Sequence, residues 1–505
     1  MERSKHVKHF LDSVHGTIDI PKEYCDRIID TCYFQRLRRI EQNSCRSVFP
    51  SARHDRFIHS IGVYYLGNRI ANNIKEKFFE KEIIPKNFDI IIKTYEVACL
   101  LHDIGHTPFS HTFEDFFDKE KAENALMEKL NDECFTNDVN NGRKAASHEI
   151  ISAYVAINVF NEVLKDFGVD LVLLARMITG YRFLSNEKKP IKSFENAMIE
   201  LIHGDIIDAD GLDYVCRDVW AGGYKNFTID LNRLISSIEI EYNSTTNEYS
   251  VIYSSKALNE IEAVLNIKNF QYLYVLKHHK VLLEQYLLVE AMKSAACYHL
   301  RLPNNTPDER DNALRVLCDY KSFIEKKELP ELKYKLYRPA DDDFVALMKL
   351  YDPDEFYIRQ WLSRKYNATS LWKSKLEYFN IFRPVFETLS NDVIERIYTL
   401  LVSDTCKHYL CANYNLDERD IIVIGVEPKI RSLDAEKIHV RLNDSIQPYS
   451  KLNHDVFSVI SKNLPYCYMY IDLEKIGKED KTSHIKNIIH ELKNFLVREL
   501  RHLWD

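Results

Sequence analysis

Residues 89–101, DIIIKTYEVACLL, have the apolar density of a buried helix, and the run ends directly in His102-Asp103. Only 13 Gly and 14 Pro punctuate the 505 residues, which favours long helices over many short strands. Further helices are expected at 57–76, 148–165, 171–178, 257–298 and 391–412. Strands are fewer. Residues 239–253 read as a hairpin turning at 244–247, and 420–426 (DIIVIGV) as a short buried strand. Residues 452–505 return to amphipathic helix. The polar loop 303–311 (PNNTPDERD) sets a soft boundary. It divides a helical domain, 1–305, from a mixed α+β region, 306–505, expected to form oligomer contacts or a lid. The fold class expected is mainly α.

Net charge is −8 with His neutral, so no overall basic character points to nucleic acid. The 11 Cys show no CxxC or zinc-finger spacing and read as reduced thiols. Residues 1–10 are polar and basic, and no stretch approaches the ~18 apolar residues of a membrane span. A soluble, cytoplasmic protein is expected.

Histidine is clustered. LLHDIGHTPFSH holds His102, Asp103, His106 and His111 within ten residues. A vicinal His-Asp pair at a helix end places an imidazole and a carboxylate on one divalent cation, a donor mix that admits Fe, Mn, Co, Ni, Zn or Mg. Two ligands are seldom enough. His59 lies on the apolar helix HDRFIHSIGVYYL, and Asp210 lies in the acidic run HGDIIDADGLDYVCRD. Two His and two Asp leave coordination positions open for water and a phosphate oxygen. A lone buried His is more often a satisfied core residue, so His59 carries weight only jointly with the other three.

The ordered set His59, His102-Asp103, Asp210 is the signature of the HD superfamily, and the expected core is therefore an HD-domain helical bundle. HDRFIHSIGVYYLG, CLLHDIGHTPFSH, DIIDADGLDYVCRD and the leader VHGTIDIP with RIIDTCYFQRLRRIEQ resemble the dNTP triphosphohydrolases more narrowly. That group comprises bacterial dGTP triphosphohydrolases and the animal enzyme that fuses a sterile-alpha-motif to an HD domain. No such motif is expected here. The resemblance runs from about Val14 to about Lys280, with a weaker echo in DDDFVALMKLYD and DIIVIGV.

The resemblance implies metal ligation by His59, His102, Asp103 and Asp210, and hydrolysis at the α-phosphorus to a deoxynucleoside and inorganic triphosphate. Arg56 would grip a phosphate, His106 and His111 would line the α-phosphate site, and His148 would be the general acid. Gln42, Tyr214 and Asp218 would contact the sugar. Lys277, beside His278-His279, reads either as a solvated basic face or as a contact to the triphosphate tail. Asp30, Gln35, Arg38 and Arg233 match an activating guanine-nucleotide site at a subunit contact, which implies a homo-oligomer (dimer, tetramer or hexamer). Draining nucleotide pools in antiviral defence is a role compatible with this family.

Several positions depart from the pattern, among them the Arg and Tyr expected upstream of His278-His279-Lys280, which are not found in register although Tyr272 and Tyr274 are near. Gly211 stands where the animal enzyme has a lysine, and Asn43 stands where a hydrophobic residue crowds out a ribose 2′-hydroxyl. These departures keep open an HD phosphohydrolase acting on another nucleotide or a nucleic-acid end. A ligand-gated module with a structural metal is the third reading.

Overall fold

The computed structural model describes residues 6–80, 85–142, 144–184, 189–204, 206–331, 334–386, 391–427, 436–443, 445–452, 464–477 and 480–500. The fold is mainly α, and the chain divides into two compact units.

The first unit comprises Met1–Gln271, Met292–Tyr351 and Arg431–Phe457. It opens with an antiparallel hairpin, Val7–Asp12 with Gly16–Pro21, in which Asp12 faces Gly16 across the turn. Helices Arg56–Glu80, Phe88–Leu101, Ser147–Val159, Leu171–Thr179, Lys189–Glu200 and Ala209–Ala221 build the core. Helix Phe88–Leu101 is apolar nearly all round, and every residue from Val97 to Leu101 is buried. Gly105 lets the following loop lie against helix Ser147–Val159. A Cβ there would collide with the Ser152 backbone nitrogen, while the Gly105 amide donates to Ser152 Oγ at 3.0 Å. The expected hairpin forms from Ile238–Asn243 and Glu248–Ser254. It joins Ser445–Pro448 and His439–Leu442 in a four-stranded sheet.

The second unit comprises Tyr272–Ala291, Asp352–Ile430 and Ser458–Asp505. Its core is a three-stranded sheet, Thr369–Ser370, Tyr466–Ile471 and Ile421–Val426, packed with aromatic residues of helix Lys375–Phe386.

Several expectations are corrected. The expected 257–298 helix is Leu258–Phe270, a wide turn at Gln271–Leu276, and His279–Leu300. Residues 391–412 hold two helices, Asn391–Leu401 and Asp404–Tyr414, the second N-capped by Ser403 Oγ from the Cys406 amide at 3.3 Å. The expected C-terminal helix contains a strand, Tyr466–Ile471, buried at every residue, before helix Lys481–Glu499. A strand buried on both faces shows no period-two alternation, so nothing in its pattern announced it. Residues 453–463 lie outside the described residues. The two units do not divide at 305: helices Pro307–Leu317 and Asp341–Tyr351 belong to the first. Among the described residues no helix is long and apolar enough to cross a membrane. None of the 11 cysteines is paired in a disulfide.

Candidate active site

The first unit brings His59, His102, Asp103 and Asp210 together. His59 lies in the first turn of Arg56–Glu80, His102 caps the C-terminus of Phe88–Leu101, and Asp210 lies in the first turn of Ala209–Ala221. His59 Nε2 stands 2.9 Å from Asp210 Oδ1, 3.3 Å from His102 Nε2 and 3.7 Å from Asp103 Oδ2. His102 Nε2 stands 3.6 Å from Asp103 Oδ2. Single donor atoms of His59, His102 and Asp210 all lie within 4.8 Å of one another, a group able to hold a metal ion. Two imidazoles and two carboxylates at these distances suit a divalent cation.

Both imidazoles are aimed. His59 Nδ1 lies 2.7 Å from Asp213 Oδ2 and His102 Nδ1 lies 3.1 Å from the Cys99 carbonyl, which puts the ring protons on Nδ1 and leaves Nε2 facing the group. Asp213 is itself held by Arg217 Nε and Nη2, each at 2.8 Å, and by His15 Nε2 at 2.7 Å. Arg217 Nη1 reaches Asp12 Oδ2 at 2.8 Å. The N-terminal hairpin thus buttresses His59. Sequence reasoning missed Asp12, His15, Asp213 and Arg217. For Asp213 and Arg217 the signal was their helical spacing from Asp210 on one face.

Burial disfavours charge on His59, yet the carboxylates of Asp210 and Asp213 lift its pKa to about 9. Burial likewise opposes ionisation of Asp103, but Arg56 and His102 hold it well below the usual carboxylate range. The pocket is therefore tuned to hold positive charge between carboxylates.

A second group stands alongside. His106, His111 and His148 offer donor atoms within 4.8 Å of one another, with the His106 and His148 rings stacked at 4.5 Å between centroids. Glu114 anchors two of them: Oε1 lies 2.7 Å from His148 Nδ1, and Oε2 lies 2.8 Å from His111 Nδ1. Burial pushes His148 down, but the Glu114 carboxylate overrides it and lifts the pKa to about 9. Glu114 is held well below its ordinary range, because the His148 charge and the bond to His111 outweigh burial. Burial and the Arg56 guanidinium push His106 well below 6.5, and neither of its buried ring nitrogens has a hydrogen-bond partner. Glu114 was not foreseen, although it lies at i+3 from His111.

Arg56 stands between the two groups. Its Nη1 donates to Asp103 Oδ2 at 2.8 Å, Nε to Ser110 Oγ at 3.0 Å and Nη2 to the Gln42 carbonyl at 3.2 Å, with His111 Nε2 at 3.5 Å. A fixed guanidinium beside the three histidines disfavours a second dication there and favours an anion.

The other expected residues fall in several places. Gln42 is buried with its Oε1 unpartnered, and Asn43 beside it is half-buried. Asp218 Oδ1 lies 2.6 Å from His54 Nε2. Lys268 Nζ lies 5.3 Å from the Tyr214 ring and 2.6 Å from where a Cβ on Gly211 would sit, so a cation reaches that position from another helix. Gln35 and Arg38 meet, Arg38 Nε donating to Gln35 Oε1 at 2.9 Å, whereas Asp30 pairs with Lys8 Nζ at 2.6 Å. Arg233 is turned to the Lys256 carbonyl at 2.5 Å and to Glu260 at 3.6 Å. Lys277 belongs to the second unit, its ammonium 5.5 Å from the Tyr272 ring.

The HD domain family matches residues 56–203, a stretch that includes His59, His102, Asp103, His106, His111 and His148. The chain is 29% identical over 311 residues to the deoxynucleoside triphosphate triphosphohydrolase SAMHD1 of Gallus gallus, covering 58% of this chain and 46% of that protein. It is 31% identical over 266 residues to an uncharacterised protein of Mycoplasma genitalium, covering 52% and 54%. The chain thus spans about half the length of these curated relatives. In fold it is similar to a phosphohydrolase of Bacteroides thetaiotaomicron, with a TM-score of 0.58, 19% identity, and coverage of 92% of this chain and 99% of that one.

Proposed function

We propose that the chain is an HD-domain dNTP triphosphohydrolase, hydrolysing deoxynucleoside triphosphates to deoxynucleoside and inorganic triphosphate, a reading supported by the HD domain match and by the likeness to SAMHD1. The observation that carries this reading is the position of Arg56, which donates to Asp103 Oδ2 at 2.8 Å on one side and lies 3.5 Å from His111 Nε2 of the three-histidine group on the other.

His59, His102, Asp103 and Asp210 would hold the divalent cation. When bound, such a cation polarises a phosphoryl oxygen and lowers the pKa of an attached water. Arg56 binds an oxygen of the α-phosphate and neutralises charge that builds on it. Water oxygen bonds to the α-phosphorus and gives up a proton to solvent as the bond from phosphorus to the 5′ oxygen breaks. His148 gives its proton to that leaving oxygen, and Glu114 keeps the imidazole charged until then. His106, neutral and without a partner, offers one N–H to the phosphate. Gln42, Tyr214 and Asp218 are proposed sugar contacts, and Lys277 a contact to the phosphate tail. Asn43 favours acceptance of a ribose 2′-hydroxyl, since a polar side chain there can hydrogen-bond it. Asp30, Gln35, Arg38 and Arg233 are the proposed site for an activating guanine nucleotide in a homo-oligomer, and Gln35 and Arg38 touch within the chain.

The test is incubation of the protein with each dNTP and rNTP, singly and mixed, with Mn²⁺ or Mg²⁺, and ion-exchange analysis of products. Intact triphosphate with deoxynucleoside supports the reading, and activity seen only in mixtures supports the regulatory site. No turnover of any triphosphate by a metal-loaded sample refutes it.

A further inference from the structure

The loop that carries His106 and His111 is fixed from outside by two buried charged side chains. Arg36, in the short turn Arg36–Arg39, donates Nη2 to the carbonyls of His106 at 2.7 Å and Ile104 at 3.2 Å, and Nη1 to that of Pro339 at 2.6 Å. Asp341 Oδ1 accepts the Phe109 amide at 2.6 Å, and Oδ2 accepts the Glu41 amide at 2.9 Å. Phe109 and Ser110 both have a φ of 54°, a left-handed conformation that costs non-glycine residues about 1 kcal/mol each. Asp341 therefore holds the loop where its backbone is least willing to stay.

Helix capping does not account for Asp341. Its helix, Asp341–Tyr351, begins with three aspartates. Asp343 serves its own helix end by accepting the Ala340 amide at 2.8 Å, and Asp342 forms a surface pair with Arg39 at 2.7 Å. Asp341 alone of the three is turned into the catalytic loop. Both amides it holds adjoin groups that orient Arg56. Phe109 precedes Ser110, whose Oγ receives Arg56 Nε, and Glu41 precedes Gln42, whose carbonyl receives Arg56 Nη2.

We propose that Arg36 and Asp341 are positioning residues that set the His106–His111 loop and the Arg56 guanidinium for catalysis. Neither touches the reacting atoms. The kinetic arm of the test rests on the triphosphohydrolase reading, so a second arm needs no substrate. In Asp341→Asn one carboxylate oxygen becomes an amide NH2 that faces a backbone N–H, donor against donor, and one loop loses its acceptor. Arg36→Lys cannot reach three carbonyls at once. For both, kcat for dNTP hydrolysis is expected to fall about tenfold or more, with KM and metal content unchanged. The rate at which diethylpyrocarbonate modifies His106, followed by peptide mass spectrometry, is expected to rise as the loop loosens. Asp342→Asn is the control and changes neither. A lower Tm with unchanged kcat and unchanged His106 reactivity in both variants overturns the proposal. If the wild type hydrolyses no nucleotide while His106 reactivity still responds, the brace stands and the triphosphohydrolase reading falls. Should Asp341→Asn fail to fold, Arg36→Lys carries both measurements.

Discussion

Replacing Glu114 by Gln keeps the shape of the side chain and removes its charge. In the wild type that carboxylate, 2.7 Å from His148 Nδ1, lifts the imidazole to about 9 against burial, which acts the other way. Without it, burial pulls His148 back toward its ordinary 6.5, opposed only by the weaker pull of Glu149 and Asp103. The fall is about 9 − 6.5 = 2.5 pH units, or about 3 kcal/mol at ~1.36 per unit. The His148 side chain is 15% exposed, so solvent screens little of this. A general acid works only when protonated. The wild-type rate should stay level up to about pH 9, whereas at pH 7.5 the variant should keep roughly a tenth of its rate or less, recovering near pH 5.5. Stability should follow the same pair. His148 is raised in the folded state, so its contribution is complete below 6.5 and lost as pH rises through 9. Glu114 is depressed, so its contribution is present above 4.5 and lost as pH falls through its low folded value. The Tm deficit of Glu114→Gln should therefore be largest between pH 4.5 and 6.5 and shrink toward 9. A pH–rate profile of kcat and melting curves at several pH values measure both effects. A basic limb that stays near pH 9, or a loss equal at every pH, refutes the assignment of His148 as an acid charged by Glu114.

Removal of the metal should lower both Tm and activity, since a cation at about a hundred times its Kd stabilises the folded state by roughly 2.7 kcal/mol. Dialysis against a chelator followed by Mn²⁺ addition tests this, with elemental analysis of the bound metal. An unchanged Tm and metal content in Asp210→Asn would speak against that ligand. Asp213→Asn should weaken metal binding about 10- to 100-fold, read by competition with a chromogenic chelator, because the His59 ring loses its orienting partner. Equal affinity in wild type and variant would remove Asp213 from the account.

What was legible in the sequence was local. His102-Asp103 at the end of an apolar run, with His59 and Asp210 on apolar helices, named four candidate donors, and the fold brings His59, His102 and Asp210 into one group with Asp103 Oδ2 3.7 Å from His59 Nε2. The hairpin with Ile238 opposite Tyr253 followed from alternation and a polar turn. What stayed hidden depends on contacts between residues far apart in the chain. Tyr466–Ile471 lacks a pattern because both its faces are covered. His15 and Asp12 meet Asp213 and Arg217 across about two hundred positions, and no periodicity encodes that meeting. The same contact explains a glycine that helix propensity alone would call a defect. Gly62 lies inside Arg56–Glu80, where Ala is favoured over Gly by roughly 1 kcal/mol. Yet a Cβ on Gly62 would collide with Asp213 Oδ1 and lie 2.5 Å from Arg217 Nη2. Asp213 has nowhere to go, since His15, His59 and Arg217 all hold it. Gly62→Ala should therefore destabilise by about 1–3 kcal/mol through overpacking, reversing the sign that propensity gives. It should also weaken metal binding about as much as Asp213→Asn, and the double variant should add little, because both act through the same carboxylate. Metal titration and melting of the three variants decide the point. A raised Tm with full metal affinity in Gly62→Ala would show that the carboxylate of Asp213 is free to move, and that His59 is aimed by something else.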